Sequence, residues 1–202
     1  MDRHEHWEAI HTTKATDAVS WYEVDPALSL ELIESVSPDR GSVIDVGGGQ
    51  SFLVDKLLDA GFQRVAVLDI ASAALEATRQ RLGTCADQVE WLHADITEVS
   101  DLGKFDVWHD RAVLHFLTEE ADRKAYVEML SNTLPVGGHF VVGAFGVGGP
   151  GKCSGLTIRQ YDVRIMAETL GPNFELQRWL DHSHRTPSGS DQKFFFGIFR
   201  RV

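Results

Sequence analysis

"VIDVGGGQSFLVDKLL", residues 43–58, decides how the rest of the chain is read. A short β-branched run passes through Asp45, three glycines follow, and apolar residues return at helical spacing. That pattern predicts a strand turning into a helix across bare backbone, where a ligand can approach the main chain closely. The dinucleotide fingerprint requires glycine at its first, third and sixth positions, and the sixth here is Phe52. No Gly-Lys-Ser/Thr follows, so the phosphate loop of nucleoside triphosphatases fails as well. What survives is a turn opened by Gly47 and Gly49, a helix start whose N–H groups suit a carboxylate, and Asp45, which suits an ammonium.

Working outward, the alternation continues. Short β-branched runs at 42–46, 65–69, 88–92 and 105–109 predict four strands. The helical patterns between the first three close at Gly61 and Gly83, which suit helix C-caps. A helix over about 119–134 and a strand over about 138–145 extend the scheme. Strand–helix alternation with short connections implies a parallel sheet covered on both faces. After a helix over about 158–170, apolar runs at 174–181 and 193–200 flank the turn-rich "HSHRTPSGSD" and predict an antiparallel pair. Upstream, residues 4–36 read as two helical pieces, the second running from about Pro26 to Val36. The expected fold is therefore a three-layer, Rossmann-like α/β domain with a mostly parallel seven-stranded sheet and an antiparallel C-terminal strand. One domain over 1–202 is expected, with 1–40 as a helical cap and 41–202 as the core.

The 202 residues are 43% hydrophobic and carry a net charge of −11 without a basic run. Such a surface repels phosphate backbones and argues against a nucleic-acid partner. No apolar run is long enough to span a membrane, and the polar opening "MDRHEHWEAIHTTK" lacks the apolar centre of a secretory signal, so a cytoplasmic location is expected. Cys85 and Cys153 are too few for a disulfide framework and are not spaced as a metal site.

Asp69 closes the second predicted strand, where an acid in a doubly wound sheet accepts hydrogen bonds from both ribose hydroxyls. Asp95, in "WLHADI", closes the third, within reach of an adenine edge. Amino acid, ribose and adenine together describe S-adenosylmethionine.

With "VIDVGGGQS", "VAVLDIA", "WLHADI", "FDVWHDRAVLHFL" and "LPVGGHFVV" in that order, the chain resembles a class I S-adenosylmethionine-dependent methyltransferase over roughly residues 20–200. Within that class it is similar to small bacterial types, with trans-aconitate methyltransferases and small seven-strand lysine methyltransferases as distant kin. The resemblance implies S-adenosyl-L-methionine as cofactor, held by Asp45, Gly47, Gly48, Gly49, Asp69, Ile70, Asp95 and Ile96, with Asp110 lining it; Trp21 reads equally as closing over that cofactor or as pinning the N-terminal helix to the sheet. Ser51 stands where the family's pattern has a further glycine.

For chemistry, "VWHDRAVLHFLT" places Asp110 and Arg111 at the carboxyl edge if the fourth strand ends near His109. Asp110 is expected to orient an acceptor and His115 to serve as a base, whereas His109 reads as structural. Arg111 could pair with Asp110, and Tyr161 could cover the acceptor pocket. Cys153, His182 and His184 remain open between substrate contact and structure. The expected acceptor is a small molecule with a carboxylate, thiol or amine. The alternatives are a lysine on a partner protein, or a non-catalytic protein that only binds S-adenosylmethionine.

Overall fold

A computed structural model describes residues 2–202. The sheet has seven strands: β1 (Ser42–Val46), β2 (Arg64–Asp69), β3 (Val89–His93), β4 (Val107–Arg111), β5 (His139–Phe145), β6 (Phe174–Arg185) and β7 (Asp191–Arg201). Their spatial order is 3-2-1-4-5-7-6. β1 to β5 pair in parallel, and β7 runs antiparallel to both β5 and β6. The helices are α1 (Arg3–Thr13), α2 (Ala27–Val36), α3 (Leu53–Asp59), α4 (Ser72–Leu82), α5 (Glu120–Thr133) and α6 (Val163–Leu170). The expected α/β class and topology are those observed.

The central strands are apolar on both faces because both are covered. One face packs Ile44, Ala66, Trp108 and Phe140 with Tyr126 and Leu130 of α5. The other packs Val43, Val65, Val107 and Val141 with Leu32 and Ile33 of α2 and with Leu53 and Leu57 of α3. Gly83 (φ 56°) closes α4 as expected. Asp162 caps α6 by accepting the Ile165 N–H at 2.7 Å.

Three boundaries differ from expectation. β4 begins and ends two residues late, because Asp106 caps the start of β1, accepting Ser42 N–H at 2.9 Å and Ser42 Oγ–H at 2.6 Å. α6 begins at Val163 rather than near 158, because Tyr161 bridges to Gly146 and extends the chain there. The hairpin strands run on through Arg185 and resume at Asp191, leaving a short turn from a stretch expected to be loop. Among the described residues, no helix is long and apolar enough to cross a membrane.

Candidate functional site

The strand order reverses between β1 and β4, which opens a crevice at their carboxyl ends. There lies a cleft that is partly open to solvent. Its floor is the glycine turn together with Asp45, Asp69, Ile70 and the Ala94–Ile96 segment, and residues from the N-terminal forty form its roof.

The turn is tightly constrained. Gly47 (φ 73°) and Gly48 both donate their N–H to the Leu68 carbonyl, at 2.7 and 3.3 Å. A Cβ on Gly47 would stand 2.0 Å from Val113 Cγ2, and one on Gly49 (φ 38°) would stand 2.7 Å from Asp69 Oδ2. Gly47→Ala should therefore destabilise the fold by about 2–4 kcal/mol, combining left-handed strain with the clash. Thermal unfolding checks this, and the double variant with Val113→Ala should recover the clash component but not the strain. The anticipated anion seat at the helix start is partly occupied: α3 begins only at Leu53, and Ser51 Oγ accepts the Leu53 N–H at 3.1 Å.

Asp45 lies beside His109 across the β1–β4 register. Its Oδ1 is 2.7 Å from His109 Nδ1, and His109 Nε2 is 3.0 Å from Ser29 Oγ on α2. All three are buried, so the carboxylate is held rigidly at the cleft. Asp69 is also buried, and its Oδ1 accepts the Ala71 N–H at 2.8 Å. Burial raises its carboxyl pKa above 3.8, and the nearby Asp45 charge adds to that, against the pull of the Ala71 N–H and His11. Asp95 borders the cleft, but its Oδ1 takes the Thr97 N–H and hydroxyl at 2.9 and 2.7 Å, and Oδ2 lies 3.3 Å from Arg3 Nε. Ile70, Ile96 and Trp21 line the same space.

Part of the roof comes from α1, a helix with no buried residue, through Arg3, Trp7 and His11. It is tied down by contacts near its ends and middle. Arg3 reaches Asp95 and Asp122, while Glu8 accepts the Ala73 N–H at the start of α4. The Trp7 ring meets Phe116 at 4.8 Å and Trp21 at 5.8 Å. α1 is thus packed along one side of the cleft.

The acceptor chemistry expected at β4 needs correction. Asp110 lies inside the strand and points to the α5 side, away from the cleft. It accepts the Val113 and Leu114 N–H groups at 2.8 and 3.0 Å and the Tyr126 hydroxyl at 2.6 Å. Burial pushes its pKa up to about 6. It is therefore held by the turn and by Tyr126, outside the residues that line the cleft. His115 does border the cleft, but burial, helped by the Arg111 charge, drives its pKa down to about 3. A ring so reluctant to take a proton is a poor base at neutral pH. Tyr161 is fully buried in the core beneath β5 rather than over the cleft.

One cluster escaped the sequence reading. Arg111 Nη1 donates to the Trp21 carbonyl at 2.9 Å, and Nη2 lies 3.1 Å from Glu23 Oε1, so its ion-pair partner is Glu23 rather than Asp110. Glu23 is also 3.3 Å from His184 Nδ1, whose Nε2 is 2.9 Å from the Ser20 carbonyl. His184 thus ties the hairpin to the N-terminal segment. Cys153 is buried beside Ser20 at 3.9 Å, and burial pushes its thiol pKa up, which keeps it protonated.

A family model described as a methyltransferase domain matches residues 44–140. The eEF1A lysine and N-terminal methyltransferase of Bos taurus is 23% identical over 195 residues, covering 93% of this chain and 26% of that protein. This chain thus spans about a quarter of that relative's length. Nodulation protein S of Rhizobium tropici is 29% identical over 103 residues, covering 51% of this chain and 42% of that protein. Among solved structures, a SAM-dependent methyltransferase from Anabaena variabilis superposes with a TM-score of 0.76 at 18% identity, covering 100% of this chain and 96% of that one. The N-methyltransferase NodS from Bradyrhizobium japonicum, in complex with S-adenosyl-L-homocysteine, gives 0.73 at 16% identity and covers 99% of both chains. In sequence pattern over residues 44–140, and in fold over its whole length, the chain is similar to S-adenosylmethionine-dependent methyltransferases. The matched segment runs from within β1, through the glycine turn, to the start of β5.

Proposed function

We propose that this protein transfers the methyl group of S-adenosylmethionine to a small-molecule acceptor. The observation carrying this reading is the pair of buried carboxylates, Asp45 and Asp69, set beside a glycine turn that admits no side chain. Those groups fit an amino-acid nucleoside. Asp69 would accept the two ribose hydroxyls, and Asp45, steadied by His109, would face the amino group. Backbone at Gly47, Gly48 and Gly49 would pass beneath the amino-acid portion, while Ile70 and Ile96 would flank the adenine. Asp95, engaged by Thr97 and Arg3, would shape the adenine end, and Trp21 would exclude water. The N-terminal forty residues would cap the core as parts of one working unit.

When bound, the cofactor supplies an electrophilic methyl on a sulfonium centre. The chain's own task is then alignment: holding the acceptor in line and keeping water out. A roof built by Trp7, Trp21 and Phe116 supports an enclosed small molecule as acceptor. A lysine acceptor is the second reading. The Bos taurus relative's name and the net charge of −11 favour it.

Release of S-adenosylhomocysteine, followed across carboxylate, thiol and amine acceptors and a lysine-rich peptide, tests the reading. Turnover with a small molecule is expected. Turnover with the peptide alone would move the assignment to the second reading. Tight cofactor binding without any turnover would mark a non-catalytic binder.

A further inference from the structure

Trp21, Tyr22 and Glu23 line the cleft yet belong to no helix or strand. Inside this segment the Tyr22 N–H donates to the Val19 carbonyl at 3.2 Å, and its other ties come from distant parts of the chain. Arg111 at the end of β4 holds the Trp21 carbonyl, and His184 on β6 holds the Ser20 carbonyl. Glu23 lies between those two side chains, 3.1 Å from Arg111 Nη2 and 3.3 Å from His184 Nδ1.

The partners of His184 fix how many hydrogens its ring carries. Nε2 stands 2.9 Å from a backbone carbonyl, which offers only lone pairs, so Nε2 must donate. Nδ1 faces the Glu23 carboxylate. Burial raises the Glu23 pKa, but the His184 hydrogen bond and the charges of Arg111, His184 and His182 outweigh it and hold the carboxyl below 4.5, so it is ionised. A bare Nδ1 would set its lone pair against that negative charge, in a residue only 4% exposed. Two acceptors on opposite sides of one ring call for two N–H groups, which is the imidazolium. The other groups facing the ring leave that count unchanged. Arg111 is a permanent cation, and His182, two residues along β6, has its own pKa lowered by burial. The Cys153 thiol beside Ser20 stays protonated, Gln192 opposite on β7 is neutral, and the Phe194 ring lies 6.1 Å away.

We propose that His184 is a positioning residue that acts as an imidazolium: through Glu23 and the Ser20 carbonyl it clamps the Trp21–Glu23 wall onto the cleft, and the clamp loosens when Nδ1 gives up its hydrogen. This goes beyond the methyl-transfer reading and is independent of the acceptor. A cation that gains a carboxylate partner on docking favours the docked segment at low pH. That contribution fades as pH rises through the range in which imidazoles titrate. Arg111 keeps its charge throughout, so the Trp21 carbonyl stays held and the segment loosens rather than departs.

Nitrogen-15 histidine spectra of the unaltered protein read the ring directly. At about pH 6 both His184 nitrogens are expected to carry hydrogen, and a ring with one bare nitrogen there overturns the proposal. Amide hydrogen exchange of residues 19–24, corrected for the intrinsic effect of pH, reads the clamp. Opening of the segment is expected to rise about tenfold between about pH 6 and about pH 9, the equivalent of one charge-assisted hydrogen bond. Glu23→Gln and His184→Gln have no ion pair at this point to lose and should show no such rise. Opening that is independent of pH in the unaltered protein, or that rises equally in both variants, overturns the proposal. Where a variant misfolds, the spectra and the exchange of the unaltered protein still decide. Both are read without ligand, so failure of S-adenosylhomocysteine to bind would strike the cofactor reading alone.

Discussion

Asp69→Ala is expected to weaken S-adenosylmethionine binding about a hundredfold while changing the stability of the fold little. Hydrogen bonds to a charged acceptor contribute about 1.5–3 kcal/mol each, and the proposed ribose pair would lose two. Even with water replacing part of that loss, about 3 kcal/mol remains, which is roughly a hundredfold in affinity. Stability changes little, because the Ala71 N–H left without its acceptor offsets the relief of a buried charge. Burial holds the Asp69 carboxyl above its ordinary 3.8, so the native state keeps this proton more tightly than the unfolded chain does. Its ionised form therefore costs stability above the unfolded value, and alanine removes that cost. Asp69→Asn keeps the shape but loses the charge, and should lose most of the affinity too. Calorimetry with S-adenosylhomocysteine and thermal unfolding of the same samples measure both effects. Undiminished affinity in Asp69→Ala would place the nucleoside elsewhere.

The topology was legible because it is written in local patterns. The β-branched runs of β1 and β2, the helices closing at Gly61 and Gly83, and the appended hairpin each leave a signature within a few residues. Contacts between distant segments leave none. Phe105 is apolar and fully buried, yet it sits before β4 rather than in it, so the run "KFDVW" gives no sign that Asp106 is a cap. That two-residue offset matters because it brings positions 110 and 111 inside the strand, where neighbouring side chains point to opposite faces. It puts Asp110 inside β4 against Tyr126 and leaves Arg111 as the residue at the cleft. The joining of Glu23, Arg111 and His184 draws on the N-terminal segment, β4 and the hairpin at once. Only β-strand register and the fold of the cap reveal it. The Asp45–His109 pair is an intermediate case. It follows directly from the β1–β4 register once β4 is correctly bounded.

Asp110 is expected to govern stability, and its removal should be the most damaging single truncation in the β4 region. Asp110→Ala leaves the Val113 and Leu114 N–H groups and the Tyr126 hydroxyl without their acceptor in a dry interior. At about 1–3 kcal/mol per stranded donor, less the relief of removing a buried charge, a net loss of about 3 kcal/mol is expected. The turn that Asp110 holds includes Ala112 at φ 75° and leads into His115, so activity should fall along with stability. The pH dependence separates charge from hydrogen bonding. The native pKa of about 6 lies above the ordinary 3.8, so this group's contribution is most favourable below the unfolded value and declines as pH rises through the native one. Two units correspond to about 3 kcal/mol lost between roughly pH 4 and pH 7. Asp110→Asn cannot ionise and escapes that decline, although it still mismatches one donor. Relative to the unaltered protein it should therefore look worst near pH 4 and gain steadily toward pH 7. Urea unfolding of both proteins across that range measures the difference. A gap independent of pH would mean that the Asp110 carboxyl titrates as it does in the unfolded chain, and that the Tyr126 network, not burial, sets its ionisation.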